Sequence, residues 1–134
     1  TWDAEPEHAD DNRWAHRPRM PWPVPELGAA TTVLAGVRRL VRARAATPHL
    51  HASVQAEVLT PRDPGVFLVA RRHPLGTMLG AYNVTPQARH VPADLLRELG
   101  LDPATVVDRI SGHAPLVREG AVQLAPYETL WLTD

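Results

Sequence analysis

The sequence has 134 residues, a length typical of one domain, with 14 cationic and 15 acidic side chains and a net charge near −1. That balance argues against a nucleic-acid-binding surface, which usually needs a basic excess. Cysteine is absent, which excludes disulfides, thiolate zinc sites and cysteine nucleophiles. No apolar run approaches the roughly 18 residues of a membrane span.

Residues 1–25 are expected to form an irregular arm. Prolines exclude both a helix interior and a central strand, yet the arm is too rich in tryptophan for a typical disordered tail. Long irregular segments of this kind often serve as active-site loops. The residues concerned are Pro6, Pro18, Pro21, Pro23 and Pro25, with Trp2, Trp14 and Trp22.

Residues 26–46 are predicted to form one long helix. Apolar residues recur at spacings of three and four, and the opposite face carries arginines. Thr47-Pro48 ends the pattern, because a residue before proline disfavours the α region. The apolar positions are Leu27, Ala30, Leu34, Val37 and Val41, widened by Val33 and Leu40.

After residue 50 the hydrophobic period changes to two, which predicts strands separated by Gly- and Pro-containing turns. A short helix with Leu95, Leu96 and Leu99 is expected to stop at Gly100. The fold class is therefore mainly β, an antiparallel β-sandwich preceded by the arm and the long helix. The predicted strands are Val54–Leu59, Val66–Arg71, Gly76–Val84, Thr105–Ile110, Ala121–Leu124 and Glu128–Leu132.

No complete catalytic set is recognisable in the chain. His49 and His51 would point to one face of a strand, but no third ligand is spaced to complete a zinc site. Ser111 lacks the Gly-x-Ser-x-Gly context of a nucleophile elbow. The acidic group of the arm does not match the calcium-loop spacing; its members are Asp3, Glu5, Glu7, Asp10 and Asp11. The sequence thus predicts no metal and no cofactor.

The segment Asp11–Trp22 places three arginines and two tryptophans on irregular backbone. Arginine offers a planar fork to carboxylates or sugar hydroxyls, and tryptophan offers a flat apolar face to a pyranose ring or another domain. The same residues could simply anchor the arm through packing and Arg–carboxylate pairs. Both interpretations remain open on spacing alone.

This segment closely resembles the Asp-x-Arg-Trp-x-x-Arg-Pro-Arg stretch of amylosucrases and sucrose hydrolases, sucrose-cleaving members of the α-amylase superfamily. The similarity continues through nearly the whole chain. Gly36–Arg44 followed by Ala46-Thr47-Pro48 looks like the last barrel helix of that family. Leu124–Tyr127 with Leu130-Trp131-Leu132 looks like the closing strand of its C-terminal sandwich.

The resemblance implies that the chain is the C-terminal part of a retaining glucosidase or glucosyltransferase of the glycoside hydrolase class. The Asp nucleophile and Glu acid/base would lie on earlier barrel strands, so the chain alone would not be catalytic. Arg13 matches the arginine that pairs with a barrel carboxylate and contacts the sugar. Possible pocket support comes from Trp14, His16, Arg17 and Arg19.

The same resemblance divides the chain into residues 1–49, the end of a (β/α)8 catalytic barrel, and residues 50–134, the sandwich domain. The implied partners are the remainder of the barrel and sucrose or a glucan, with no nucleic acid and no membrane. A chain beginning at Thr1 in mid-loop suggests a cut or processed product, and a cytoplasmic location is favoured over secretion. The alternative is a freestanding sugar-binding or structural β-sandwich module.

Pro21 stands where an acidic residue is common in the family. Hydrolysis, transglucosylation and isomerisation therefore all stay open, because they share the first half-reaction and differ in the acceptor that attacks the intermediate.

Overall fold

Among the described residues before the strands, the helical elements are one long helix and two short 3₁₀ turns. The computed structural model describes residues 6–8, 10–11 and 28–134. Pro6–His8 and Pro48–Leu50 are 3₁₀ turns, and the predicted long helix is confirmed as α1 (Gly28–Ala45). The hydroxyl of Thr47 donates to the carbonyl oxygen of Ala43 at 2.7 Å, which satisfies one carbonyl of the last helical turn.

The apolar stripe that predicts α1 is not buried by the described residues. Val37, Leu40 and Val41 keep 51%, 40% and 60% of their surface exposed. Ala43, by contrast, is buried. A surface helix normally turns such a stripe towards a core, so the pattern identifies the helix correctly without revealing what its stripe contacts.

The structure divides into two compact units, residues 1–35 and residues 36–134. The second unit contains every strand of the described residues and a second α-helix, α2 (Ala93–Glu98). Its strands are β1 (Ala56–Leu59), β2 (Val66–His73), β3 (Gly76–Asn83), β4 (Arg89–Pro92), β5 (Val107–Asp108), β6 (Val117–Arg118), β7 (Ala121–Leu124) and β8 (Thr129–Thr133).

The strands form two antiparallel sheets that share one core. The larger sheet has the order β1-β2-β3-β8-β5, and the smaller has the order β4-β7-β6. Alternate residues of β2, β3 and β8 point inwards and meet side chains of β4, β7 and α2. The largest fully buried side chains of this core are Leu79, Leu96, Leu124, Leu132, Val91, Val106 and Val122. This sandwich-like arrangement confirms the mainly antiparallel β prediction.

Two tight hairpins fix the strand register through residues with positive φ. In the β6–β7 turn, Glu119 and Gly120 have φ of 51° and 72°, as a two-residue turn of the I′ kind requires. In the β2–β3 hairpin, His73 pairs with Gly76, whose φ is 119°. Glycine adopts these angles without a steric penalty.

The structure shortens one predicted strand and adds two others. The strand expected over 105–110 is only Val107–Asp108, because residues 102–106 form a turn in which the amide of Val106 donates to the Asp102 carbonyl at 2.9 Å. Strands β4 and β6 are additions to the prediction.

Within the described ranges, no helix combines the length and apolarity that a membrane span requires.

Candidate functional site

The sugar-binding residues proposed from the sequence cannot be placed in the structure. Arg13, Trp14, His16, Arg17 and Arg19 all belong to residues 12–27, outside the described residues. The role assigned to Arg13 therefore stays a prediction.

A groove lies on the outer face of the five-stranded sheet in the second unit, and we call it the Trp131 groove. Its volume is about 1000 Å³, and one side is formed by α1. The side chains that line it include Leu40, Tyr82, Leu116, Tyr127, Glu128 and Trp131.

The floor of the groove depends on a glycine. Gly80 pairs with Trp131 across β3 and β8. A Cβ atom at Gly80 would lie 2.9 Å from the ring and the hydroxyl of Tyr82, so the missing side chain makes room for that ring. The Tyr82 ring also packs against Phe67, with ring centroids 5.8 Å apart. The outer sheet face is therefore an aromatic surface.

Trp131 has one polar group that lacks a partner. Its backbone amide donates to the Asp108 carboxylate at 2.8 Å. Its indole Nε1 is shielded from solvent and has no hydrogen-bond partner among the described residues. A buried indole N–H usually has an acceptor, so Nε1 of Trp131 is an unsatisfied buried donor among the described residues.

Asp108 organises the loop beside the groove. This carboxylate is 3% exposed, and it accepts hydrogen bonds from the amides of Ile110 at 3.2 Å and Ser111 at 2.9 Å. Together with the bond from Trp131, these contacts occupy both carboxylate oxygens. Asp108 is thus a structural residue that holds the loop against β8.

Tyr127 stands at the rim of the groove in an unusual backbone conformation. Its φ is 56°, and 67% of its surface is exposed. The turn is held by the amide of Glu128 donating to the Ala125 carbonyl at 3.0 Å, and by the amide of Tyr127 donating to the Thr85 carbonyl at 3.1 Å. An exposed aromatic kept at positive φ costs about 1–2 kcal/mol, a cost that suggests a role for this side chain outside the domain.

The expectation that His49 and His51 point to one face of a strand is wrong, because neither residue lies in a strand. His49 lies in the 3₁₀ turn Pro48–Leu50 and is 6% exposed. His51 is exposed, and its Nδ1 lies 2.8 Å from the Ser53 hydroxyl. Pro48 favours the start of a helical turn, and in this turn His49 is buried whereas His51 is exposed. In the described part of the chain, no three His, Asp or Glu side chains cluster as a metal site would require.

His49 is held in an environment that favours its neutral form. Burial lowers the pKa of His49, and the positive charges of His73 and Arg109 lower it further. The His73 ring lies 5.0 Å away, centroid to centroid. The carbonyl of Gly76 opposes this change in pKa, but neither ring nitrogen has a partner that meets hydrogen-bond geometry.

This environment predicts a pH-dependent stability. The unfolded state binds a proton on His49 more readily than the folded state, so stability contributed by neutral His49 is complete above pH 6.5 and falls as pH drops towards the lower folded pKa. Urea unfolding between pH 8 and 5 should give a shallower pH dependence for His49→Leu than for the unmodified chain.

The control for this prediction is His90→Asn, because His90 is exposed on β4. That variant should retain the pH dependence of the unmodified chain. Equal slopes for His49→Leu and the unmodified chain would contradict the assignment to His49.

The two antiparallel sheets define a β-sandwich domain, and comparisons with known proteins agree with this fold. The family described as "Amylosucrase, C-terminal domain" matches residues 56–133, and the chain belongs to this family. Among solved structures, the chain is similar to one titled "Crystal structure of AmyP in complex with maltose". No curated protein matches the sequence.

The likeness to AmyP concerns the fold. The identity is 18% and the TM-score 0.64, over 81% of this chain and 22% of the AmyP chain. This chain therefore spans about a fifth of the length of that relative.

Sequence reasoning did not identify the Trp131 groove. The signal was present in the alternation of β8, where Leu130 and Leu132 point inwards and Trp131 points outwards. The groove itself depends on the pairing of β3 with β8, strands that are distant in sequence, and on Gly80 opposite Trp131.

Proposed function

We propose that this chain is the C-terminal part of a sucrose-cleaving α-glucosidase or glucosyltransferase that works by a retaining, covalent glucosyl-enzyme mechanism. The observation that carries the proposal is the family match over residues 56–133. The proposal names sucrose as the substrate because the Arg-Trp motif of the arm resembles that of sucrose-cleaving enzymes. The nucleophile and the acid/base belong to the preceding barrel, so residues 1–134 alone have no turnover.

The proposed boundary places residues 1–49 at the end of the catalytic barrel, as the loop after its eighth strand and its last helix. The exposed stripe of α1 supports this division, because Val37, Leu40 and Val41 need an apolar neighbour. Burying such side chains against the barrel would contribute about 25 cal/mol for each Å² removed from water. In this arrangement α1 joins the barrel to the sandwich.

Arg13 is the residue through which this chain would reach the substrate. The loops that follow barrel strands carry the substrate site in this fold. An arginine on such a loop can hold a carboxylate of the barrel and donate hydrogen bonds to sugar hydroxyls. Trp14, His16, Arg17 and Arg19 would line or support the same pocket.

The test uses the complete protein, including the sequence encoded before Thr1. The complete protein should release fructose from sucrose, and the 134-residue chain should release none. Arg13→Ala in the complete protein should lower kcat/KM for sucrose by at least about tenfold, because a charge-assisted contact in the sugar pocket is lost.

Arg62→Ala is the matched control, since Arg62 is exposed in the loop between β1 and β2. It should leave kcat/KM unchanged. A near-normal rate for Arg13→Ala would remove Arg13 from the substrate site, and a complete protein that does not cleave sucrose would overturn the proposed function.

A further inference from the structure

A pocket of about 480 Å³ lies between the segment that precedes β1 and the β2–β3 hairpin, and we call it the His73 pocket. The segment contributes His51, Ser53 and Gln55, and the hairpin contributes Arg72 and His73. Among the described lining residues, it shares none with the Trp131 groove, and none is acidic. The ionisable side chains that line this pocket are therefore all basic.

Hydrogen bonds within the domain fix both walls of the His73 pocket. In the segment before β1, the amide of Val54 donates to the carbonyl of His51 at 3.0 Å. The Arg71 guanidinium then donates to the carbonyl of Val54 at 2.8 Å, which ties the segment to β2. In the hairpin, the amide of Leu75 donates to Nδ1 of His73 at 3.1 Å. A ligand would therefore meet walls that are already ordered, which lowers the entropic cost of binding.

The same contacts decide which nitrogen of each imidazole carries the proton. Nδ1 of His51 accepts from the amide of Ser53 at 3.2 Å and lies 2.8 Å from the Ser53 hydroxyl. Nδ1 of His73 accepts from the amide of Leu75. A neutral imidazole has one N–H group and accepts with its other nitrogen, so the proton of both rings lies on Nε2. Both side chains are thus donors at Nε2 when neutral, and they gain a positive charge on protonation.

The charges around the His73 pocket are mainly positive. Arg72 faces the Glu57 carboxylate through its Nε at 3.5 Å, and both side chains are more than half exposed, so this contact does not engage the two terminal amino groups of Arg72. Behind the pocket, the His73 ring lies 5.0 Å from the ring of His49, centroid to centroid. The positive charges of His73 and Arg109 oppose protonation of His49, which shows that cationic groups converge on this end of the sheet.

We propose that the His73 pocket binds a tetrahedral oxyanion, either free phosphate or the phosphate group of a small metabolite. Arg72 and the Nε2 groups of His51 and His73 are its donors. Guanidinium and charged imidazole groups form charge-assisted hydrogen bonds to phosphate oxygens. Lining groups that only donate favour an oxyanion over a neutral sugar, whose hydroxyls also need acceptors. This site goes beyond the proposed sucrose cleavage and does not depend on it.

Calorimetric titration of the complete protein with sulfate, in a buffer free of phosphate, tests the proposal. Sulfate should bind with a Kd of about 1 mM at pH 6, and several-fold more weakly at pH 8. Sulfate keeps its double negative charge over this range, so the change reports the loss of protons from His51 and His73 above about pH 6.5. The absence of binding at pH 6, or equal affinities at the two pH values, would overturn the proposal.

Substitutions of charged residues locate the sulfate. Arg72→Gln should weaken binding by at least about tenfold, because a charge-assisted contact is lost. Glu57→Gln should strengthen binding, because it removes the negative charge beside Arg72. Arg97→Gln is the matched control, since Arg97 is equally exposed and also pairs with a carboxylate, that of Asp94. Equal losses for Arg72→Gln and Arg97→Gln would indicate general charge attraction and overturn the proposal.

Substitutions of the histidines by asparagine isolate the Nε2 groups. The asparagine Oδ1 can replace Nδ1 as the acceptor for the Ser53 and Leu75 amides, but asparagine has no counterpart of Nε2 and does not titrate. His51→Asn and His73→Asn should each weaken sulfate binding, and the double variant should lose its pH dependence. His90→Asn, on the exposed face of β4, is the control and should change neither quantity. A double variant that keeps the pH dependence would overturn the proposal.

Parallel titrations with inorganic phosphate and glucose 6-phosphate distinguish the two sources of the oxyanion. Tighter binding of the sugar phosphate, lost in Arg72→Gln, would assign the pocket to a phosphorylated metabolite. Equal affinities, both lost in Arg72→Gln, would assign it to free phosphate. Binding of either compound that Arg72→Gln leaves unchanged would place the oxyanion elsewhere and contradict the proposal. A protein that binds sulfate as expected but does not cleave sucrose would overturn the proposed function alone.

Discussion

Replacing Asp108 by alanine should lower the free energy of unfolding by about 3–5 kcal/mol. The carboxylate accepts from the backbone amides of Ile110, Ser111 and Trp131, and it is almost entirely buried. Alanine leaves these donors without an acceptor and releases the loop from β8. Urea unfolding of the 134-residue chain measures the loss.

Asp108→Asn and Asp102→Ala make this prediction specific. Asparagine keeps one oxygen for Ile110 and Trp131 but turns an NH₂ group towards the amide of Ser111, so it should cost about half as much as alanine. Asp102 is exposed and accepts from Ala104 at 2.9 Å, so its loss should cost at most about 1 kcal/mol. Equal losses for Asp108→Ala and Asp102→Ala would contradict the role given to Asp108.

Leu132→Ala should lower the free energy of unfolding by about 2–5 kcal/mol. Leu132 is 0% exposed and lies on β8, between Leu79 of β3 and Asp108 of β5 in the sheet register. Truncation removes buried apolar surface and leaves a cavity that the rigid sheet cannot close. The same urea experiment reports the change.

Leu75→Ala is the matched control, because the same side chain is removed where it is exposed. It should change the free energy of unfolding by no more than about 0.5 kcal/mol. A loss below 1 kcal/mol for Leu132→Ala would show that the core can relax around the missing side chain.

The strands β2, β3, β7 and β8 could be predicted from the sequence because each has a buried face with several apolar residues. In β8 the alternation of Leu130, Trp131 and Leu132 carries that signal. In β4 only Val91 is fully buried, and Pro92 argues locally against a strand. Strand β6 has two exposed residues, so its existence depends on pairing with β7 and on the turn at Glu119 and Gly120.

The candidate sites differ in how much of each can be predicted from the sequence. The arm motif around Arg13 is local, so a family resemblance could be noticed there without any structure. The Trp131 groove requires the pairing of β3 with β8, and no local sequence pattern predicts this pairing. The environment of His49 likewise depends on His73 and Arg109, which are remote in sequence. Long-range packing, not propensity, decides these features.

The strand order has a consequence for synthesis. Strand β8 lies inside the larger sheet, between β3 and β5, but it is the last of these strands to leave the ribosome. Until residues 129–133 emerge, β3 presents a free edge, and free edges invite pairing with other chains. At about 5–20 residues per second, the nascent chain passes several seconds in this state while residues 84–128 are added. Protection of that edge by a chaperone would therefore matter most before the final strand arrives.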